Sequence, residues 1–225
     1  MSQVGRVVAV DGPSGSGKST VSRAVADDLG LEVLDTGAMY RAVTQAALSR
    51  GADLTDGDAL GTLARTVVIE VTDVVRLDGV DVSEAIRGPE VTGAVSVVSA
   101  HPQVRDVLVA RQREWAEARG GGVVEGRDIG TVVFPDAPLK IYLTADEAER
   151  ARRRQRDEEA AARDTDVAAV ADALARRDAL DSTRAVSPLQ AAADAVVVDT
   201  TAMSRDEVVA HVVALARAAL GSGAA

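Results

Sequence analysis

Apolar and polar positions fall in blocks along the chain, and the block lengths lay out its elements. Val7-Val8-Ala9-Val10 is a continuous apolar run within Arg6–Asp11, the pattern of a strand buried on both faces. A glycine-rich turn follows, then helical spacing from Lys18 to Leu29 with Gly30 as its C-cap. Leu31–Leu34 reads as a second short strand and Ala38–Ser49 as a second helix, stopped at Gly51. This strand–helix–strand–helix order predicts an α/β fold, a parallel sheet flanked by helices. The rhythm breaks at Thr66–Val82, where Val and Ile cluster around Asp78-Gly79, predicting two or three short strands and a hairpin turn. Ser83–Arg87 reads as a helical turn, with helices over Glu90–Ser99 and Pro102–Arg119. In the latter, Val104, Val107, Leu108 and Trp115 share one face, so Trp115 is expected in the core. Thr62–Ser96 reads as a small insertion, after which strands at Val123–Glu125 and Leu139–Leu143 resume the α/β core. Asp146 to Leu180 is charged, Ala-rich and helical, with a break near Arg163–Asp166. Ala195–Val198 is the last strand. Ser204–Leu220 is an amphipathic closing helix, with Ser204 and Glu207 as a capping box.

Composition narrows the class. With 225 residues, 47% of them apolar, the chain can bury one sizeable core, and disorder is expected only in the Gly221–Ala225 tail. The absence of cysteine excludes disulfides and thiolate metal sites. His101 and His211 are too few and too far apart for a zinc site, and His211, inside the closing helix, is expected to be structural. No signal-peptide pattern and no apolar run of about 18 residues is present, so a soluble cytoplasmic protein without membrane partners is expected. The net charge of −10 argues against nucleic acid as a partner. Any small anionic ligand then requires positive charge to be concentrated locally. Lys18 and Lys140 are the only lysines, which gives Lys18 more weight than a motif lysine in a lysine-rich chain.

Gly12-Pro13-Ser14-Gly15-Ser16-Gly17-Lys18-Ser19 fits G-x-x-x-x-G-K-[ST] in full, between a predicted buried strand and a predicted helix. Its glycines allow successive N–H groups to point at phosphate oxygens, and the helix adds the positive end of its dipole. The expected donor-nucleotide (ATP) site is Gly12 to Thr20, with Lys18 on the β- and γ-phosphates and the Ser19 hydroxyl on Mg²⁺. A switch GTPase needs an N-K-x-D segment, and the two lysines present exclude it.

Three further segments set an arginine beside a carboxylate or hydroxyl near the end of a core element. They are Asp35-Thr36-Gly37-Ala38-Met39-Tyr40-Arg41, Glu125-Gly126-Arg127-Asp128 running on to Ala137, and Arg177 to Arg184. Parallel sheets bind ligands at the carboxyl ends of their strands. On these segments and the loop Asp11-Gly12-Pro13-Ser14-Gly15, the chain closely resembles the bacterial cytidylate kinases from about Val7 to Val208.

The resemblance implies a P-loop nucleoside-monophosphate kinase core with an inserted acceptor-binding domain and a helical, arginine-bearing lid over about residues 146–166. It implies a monomer that uses ATP with Mg²⁺ to phosphorylate CMP and dCMP. Thr36 would stand where the family commonly has serine, keeping the hydroxyl. Arg41 and Arg127 would hold the acceptor phosphate. Ser96, Arg105 and Asp128 would meet the cytosine ring, and Arg177 and Asp181 would lie near the sugar. Arg184, with Arg153 and Arg154 of the lid, would bear on the transferring phosphoryl group; the other arginines of Arg150–Arg156 are expected on the surface. Glu125 stands where an aspartate can occur, and Ser182-Thr183 where another arginine can. Other acceptors (UMP, AMP, dTMP, shikimate) and a nucleotide-gated switch without acceptor chemistry remain as alternatives.

Overall fold

The computed structural model describes residues 5–160 and 167–221 of the chain. β1 (Val7–Asp11) leads into α1 (Lys18–Leu29), β2 (Val33–Asp35), α2 (Thr36–Ser49) and α3 (Gly57–Thr66). Three short strands follow, β3 (Ile69–Val71), β4 (Val75–Leu77) and β5 (Val80–Asp81), then a 3-10 turn at Ala85–Arg87. Next come α4 (Pro89–Ala100), α5 (Pro102–Ala118), β6 (Gly122–Gly126), a π-helical turn at Ile129–Val133 and β7 (Leu139–Thr144). The chain ends with α6 (Glu147–Ala160), α7 (Val167–Thr183), β8 (Val196–Asp199) and α8 (Arg205–Gly221).

The main sheet is five-stranded and parallel, in the order β2-β6-β1-β7-β8. The apolar run of β1 has its physical cause here, because the strand lies at the centre and both its faces are covered. Val7 and Ala9 pack with Leu34, Val43, Leu60, Leu108 and Val124 beneath α2, α3, α4 and α5. Val8 and Val10 point the other way, onto Val21 and Val25 of α1 and Val208 and Val212 of α8. The carboxyl ends of β1, β2 and β6 therefore open side by side at one edge of a closed core.

A second sheet, β3-β4-β5, is antiparallel and has no hydrogen bonds to the first. Asp78 and Gly79 turn its second hairpin with φ of 51° and 81°, as the Asp-Gly pair predicts. The expected insertion limits, Thr62 and Ser96, fall inside α3 and α4.

The structure differs from the sequence reading in several further places. Helix α3 was not expected, because Gly57 and Gly61 interrupt its apolar spacing. Asp56 caps it, accepting from the amides of Asp58 and Ala59 at 3.1 and 2.9 Å. Gly61 is there for packing, since a Cβ would stand 2.6 Å from Gln103 Cβ on α5. Strand β2 lies one to two residues later than expected. Trp115 packs against the core cluster but is only partly buried, with the Arg119 guanidinium 4.6 Å above its ring. Arg150, expected on the surface, is buried. The capping box forms, with the Ser204 amide on Glu207 Oε2 at 2.8 Å and the Glu207 amide on Ser204 Oγ at 3.3 Å. The expected break at Arg163–Asp166 and the end of the tail, residues 222–225, lie outside the described residues. Among the described residues, no helix is long and apolar enough to cross a membrane.

Candidate active site

The loop after β1 is shaped by one steric fact. Gly12 takes φ of 148°, and a Cβ there would stand 2.1 Å from the Leu143 carbonyl oxygen on β7. The chain can turn this tightly against the neighbouring strand only without a side chain. Lys18, in the first turn of α1, reaches back and donates to the carbonyls of Gly12 and Pro13 at 2.8 and 2.7 Å. Burial, then the charge of Arg127, pushes its ammonium well below the ordinary lysine range.

Glu125, near the end of β6, faces this lysine. Its Oε1 accepts from Ser19 Oγ at 2.8 Å, whereas its Oε2 is buried without a partner. Burial and the Asp35 charge push its carboxyl up to about 7. Thr36 Oγ1 donates to the Glu125 carbonyl at 2.7 Å, joining the start of α2 to β6. Asp11, ending β1, accepts from the amides of Ile129 and Gly130 at 2.8 and 2.7 Å and so fixes the π turn next to Asp128.

Beyond the phosphate loop lies a buried network of arginines and carboxylates. Arg105 of α5 pairs with Asp128, and their side chains are 4% and 6% exposed. Arg105 also donates to Ser187 Oγ at 3.1 Å and to the Ser99 carbonyl at 3.4 Å, and lies 5.5 Å over the Tyr40 ring. Arg184 stands 3.7 Å from the other Asp128 oxygen and donates to the Ser187 carbonyl. Ser187 holds both arginines with φ of 52°, a left-handed conformation unusual for serine. Asp181 of α7 accepts from Ser96 Oγ and from Arg127 Nε, each at 3.3 Å, with Arg177 Nε 3.9 Å away. Arg41 donates to the Ile86 carbonyl at 2.7 Å and to Thr92 Oγ1 at 2.9 Å. Burial among other arginines lowers Arg41 to about 9 and Arg177 to about 10.

One cavity of about 450 Å³ joins these groups. Lys18, Ser19, Thr20, Thr36, Arg41, Ser96, Arg105, Arg127, Asp128, Arg154, Arg177, Asp181 and Arg184 all line it. Nine basic side chains face it against five acidic ones, so the local sign opposes the net charge of −10. Ser14, Gly15 and Gly17 border it, while Ser16 borders a second cavity of about 400 Å³. Arg153 also lines this second cavity, bonded to Glu149 and to the hydroxyl and carbonyl of Thr200. Sequence reasoning gave no role to Asp11 and Tyr40, although both stand in the quoted segments, and missed Ser187, which stands in none; all three matter through partners distant in the chain. His211 is exposed on α8.

A parallel sheet, a phosphate loop between its central strand and the next helix, and an arginine-rich cavity at the strand ends define a P-loop kinase. A gluconokinase from Sinorhizobium meliloti 1021 shares the fold, with a TM-score of 0.51 and 19% identity over 96% of this chain and 94% of its own. The cytidylate kinase family model matches residues 8–218. A cytidylate kinase of Mycobacterium avium is 54% identical over 216 residues, 94% of this chain and 95% of the relative. One of Corynebacterium efficiens is 52% identical over 219 residues, 95% of each chain. The chain belongs to the cytidylate kinase family.

Proposed function

We propose that this protein transfers the γ-phosphoryl group of ATP to CMP, and to dCMP, by direct in-line displacement. The observation that carries the reading is a single cavity lined both by the phosphate-loop lysine and by the buried Arg105–Asp128 pair. Cytosine offers an amine donor at N4 and acceptors at N3 and O2, which a carboxylate beside an arginine matches. Uracil turns the amine into an acceptor oxygen, which would repel Asp128. Ser96 completes the base contacts, with Arg177 and Asp181 at the sugar and Arg41, Arg127 and Thr36 at the acceptor phosphate.

The donor binds along Gly12–Thr20. Lys18 and Arg41 rest on backbone carbonyls or a hydroxyl. Phosphate oxygens make stronger, charge-assisted bonds and would draw both side chains over. Arg153, Arg154 and Arg184 then offset charge on the transferring group. For Arg184 this means exchanging its present partners, Asp128 and the Ser187 carbonyl. The acceptor phosphate has a second pKa of about 6 and is largely a dianion at pH 7, so no strong general base is needed.

The residues present fit Mg²⁺. Ser19 Oγ and the unpartnered, buried Glu125 Oε2 are hard oxygen donors. Mg²⁺ usually takes only one or two protein oxygens, the rest coming from phosphates and water. The described residues hold no cluster of three or more His, Cys, Asp or Glu suited to a metal. When bound, Mg²⁺ supplies charge neutralisation at the donor phosphates.

The test is a coupled assay of ADP release with MgATP and one acceptor at a time: CMP, dCMP, UMP, AMP, dTMP and shikimate. Strong turnover with CMP and dCMP and weak turnover with UMP is the expected result. A different preferred acceptor would overturn the base-site roles while keeping the kinase, and no turnover with any acceptor would overturn the reading.

A further inference from the structure

Helix α7 touches both halves of the site. Arg177 and Asp181, one helical turn apart, line the cavity, and Asp181 is bonded to Arg127 and Ser96. Asp178, between them in the chain, faces the phosphate loop instead. Its Oδ1 accepts the Ser14 amide at 3.3 Å, and its Oδ2 pairs with Arg150 of α6. Arg150 closes the ring by donating to the Ser14 carbonyl at 3.2 Å, while its Nε holds the Ala145 carbonyl at 3.1 Å. Both backbone polar groups of Ser14 are thus held by one ion pair, the N–H by the acid and the C=O by the base. The pair is 8% and 15% exposed, so solvent screens it little. The next residue packs as closely: a Cβ on Gly15 would stand 2.8 Å from the Arg150 carbonyl oxygen. Neither Arg150 nor Asp178 lines either cavity.

We propose that Arg150 and Asp178 are positioning residues that link the acceptor site to the donor loop, so that filling either site raises the affinity of the other. The inference rests on the substrates proposed above. A helix is stiff over one turn, so a shift of Arg177 and Asp181 on gripping the acceptor carries Asp178 with it. Asp178 and Arg150 in turn hold the Ser14 peptide, and with it the shape of the phosphate cradle. An acceptor that binds better with α7 seated therefore also favours the loop shape that takes the donor. The coupling is reciprocal, as linkage requires.

The test is calorimetric titration of the full chain with CMP, alone and with saturating Mg²⁺ and a non-hydrolysable ATP analogue. The wild type should bind CMP about fivefold or more tightly when the analogue is present, the lower end of ordinary coupling. Asp178→Ala should leave the affinity for CMP alone within about threefold and cut the gain to below about twofold. Arg150→Lys keeps a cation whose single nitrogen can serve Asp178 and Ser14, as Nη1 does, but loses the Nε bond to the Ala145 carbonyl that fixes it, so its gain should fall between the two. It carries the test if melting shows Asp178→Ala to be unfolded. A plain structural brace would lower the melting temperature without changing the ratio of the two affinities. Full gain in the folded variants, or no gain in a wild type that binds both ligands, overturns the inference. A wild type that binds the analogue but not CMP overturns the acceptor reading and the inference with it.

Discussion

Asp128→Asn probes the base-reading pair with little change of shape. Removing the charge leaves Arg105 buried, with Ser187 Oγ at 3.1 Å and the Ser99 carbonyl at 3.4 Å as its remaining neutral partners. Stripping one partner from a buried ion pair costs about 3–5 kcal/mol. Asparagine keeps an acceptor oxygen in place, so the loss for bound CMP should be nearer 2–3 kcal/mol, the worth of a hydrogen bond to a charged group. At about 1.4 kcal/mol per factor of ten, that is a roughly 30- to 140-fold fall in kcat/KM for CMP. UMP should lose little, because the amide can donate to the oxygen that the carboxylate repels. The assay is coupled ADP release with CMP and UMP on the same preparation, where the ratio of the two rates cancels any loss of folded enzyme. A ratio within about threefold of the wild type would refute base reading by Asp128, since that lies well below the effect a buried charged bond predicts.

Lys18→Ala should lower kcat at least about a hundredfold, the effect of removing one fixed electrostatic donor, and near-normal turnover would refute the donor assignment. Glu125→Gln should change the dependence of stability on pH. Because burial raises the folded-state carboxyl from 4.5 to about 7, the native protein holds a proton there that the unfolded chain has lost, and this stabilisation disappears as pH rises through 7. The variant should therefore gain on the wild type above pH 7, on the order of 3 kcal/mol, with little difference near pH 4; parallel profiles in urea titrations would count against it. Gly12→Ala forces a Cβ to within 2.1 Å of the Leu143 carbonyl at φ of 148°. It should cost more than about 3 kcal/mol, a fall in Tm of about 6–12 °C for a chain of this size, and an unchanged melting curve would refute that account of the loop.

Local patterns were enough for much of the fold. The run Val7-Val8-Ala9-Val10 reads as a central strand because two-sided burial leaves no polar position. Gly30 and the Ser204–Glu207 box mark helix ends through bonds made within a few residues. The phosphate loop is legible for the same reason, since its function depends on consecutive backbone amides. Helix α3 was not, because Gly61 reads locally as a breaker and gains its purpose only when α5 lies against it.

By itself, the sequence determined the strand–helix alternation, the phosphate loop and the residue types of the acceptor segments, since each depends on neighbours along the chain. Only the tertiary structure decided which arginine meets which carboxylate. Arg105 finds Asp128 and Ser187, 23 and 82 residues away, and Arg150 finds Asp178 and Ser14, 28 and 136 residues away. A charge has no local signature of its partner. Its role among 25 basic and 35 acidic residues is set by burial and distance, which exist only once the chain has closed.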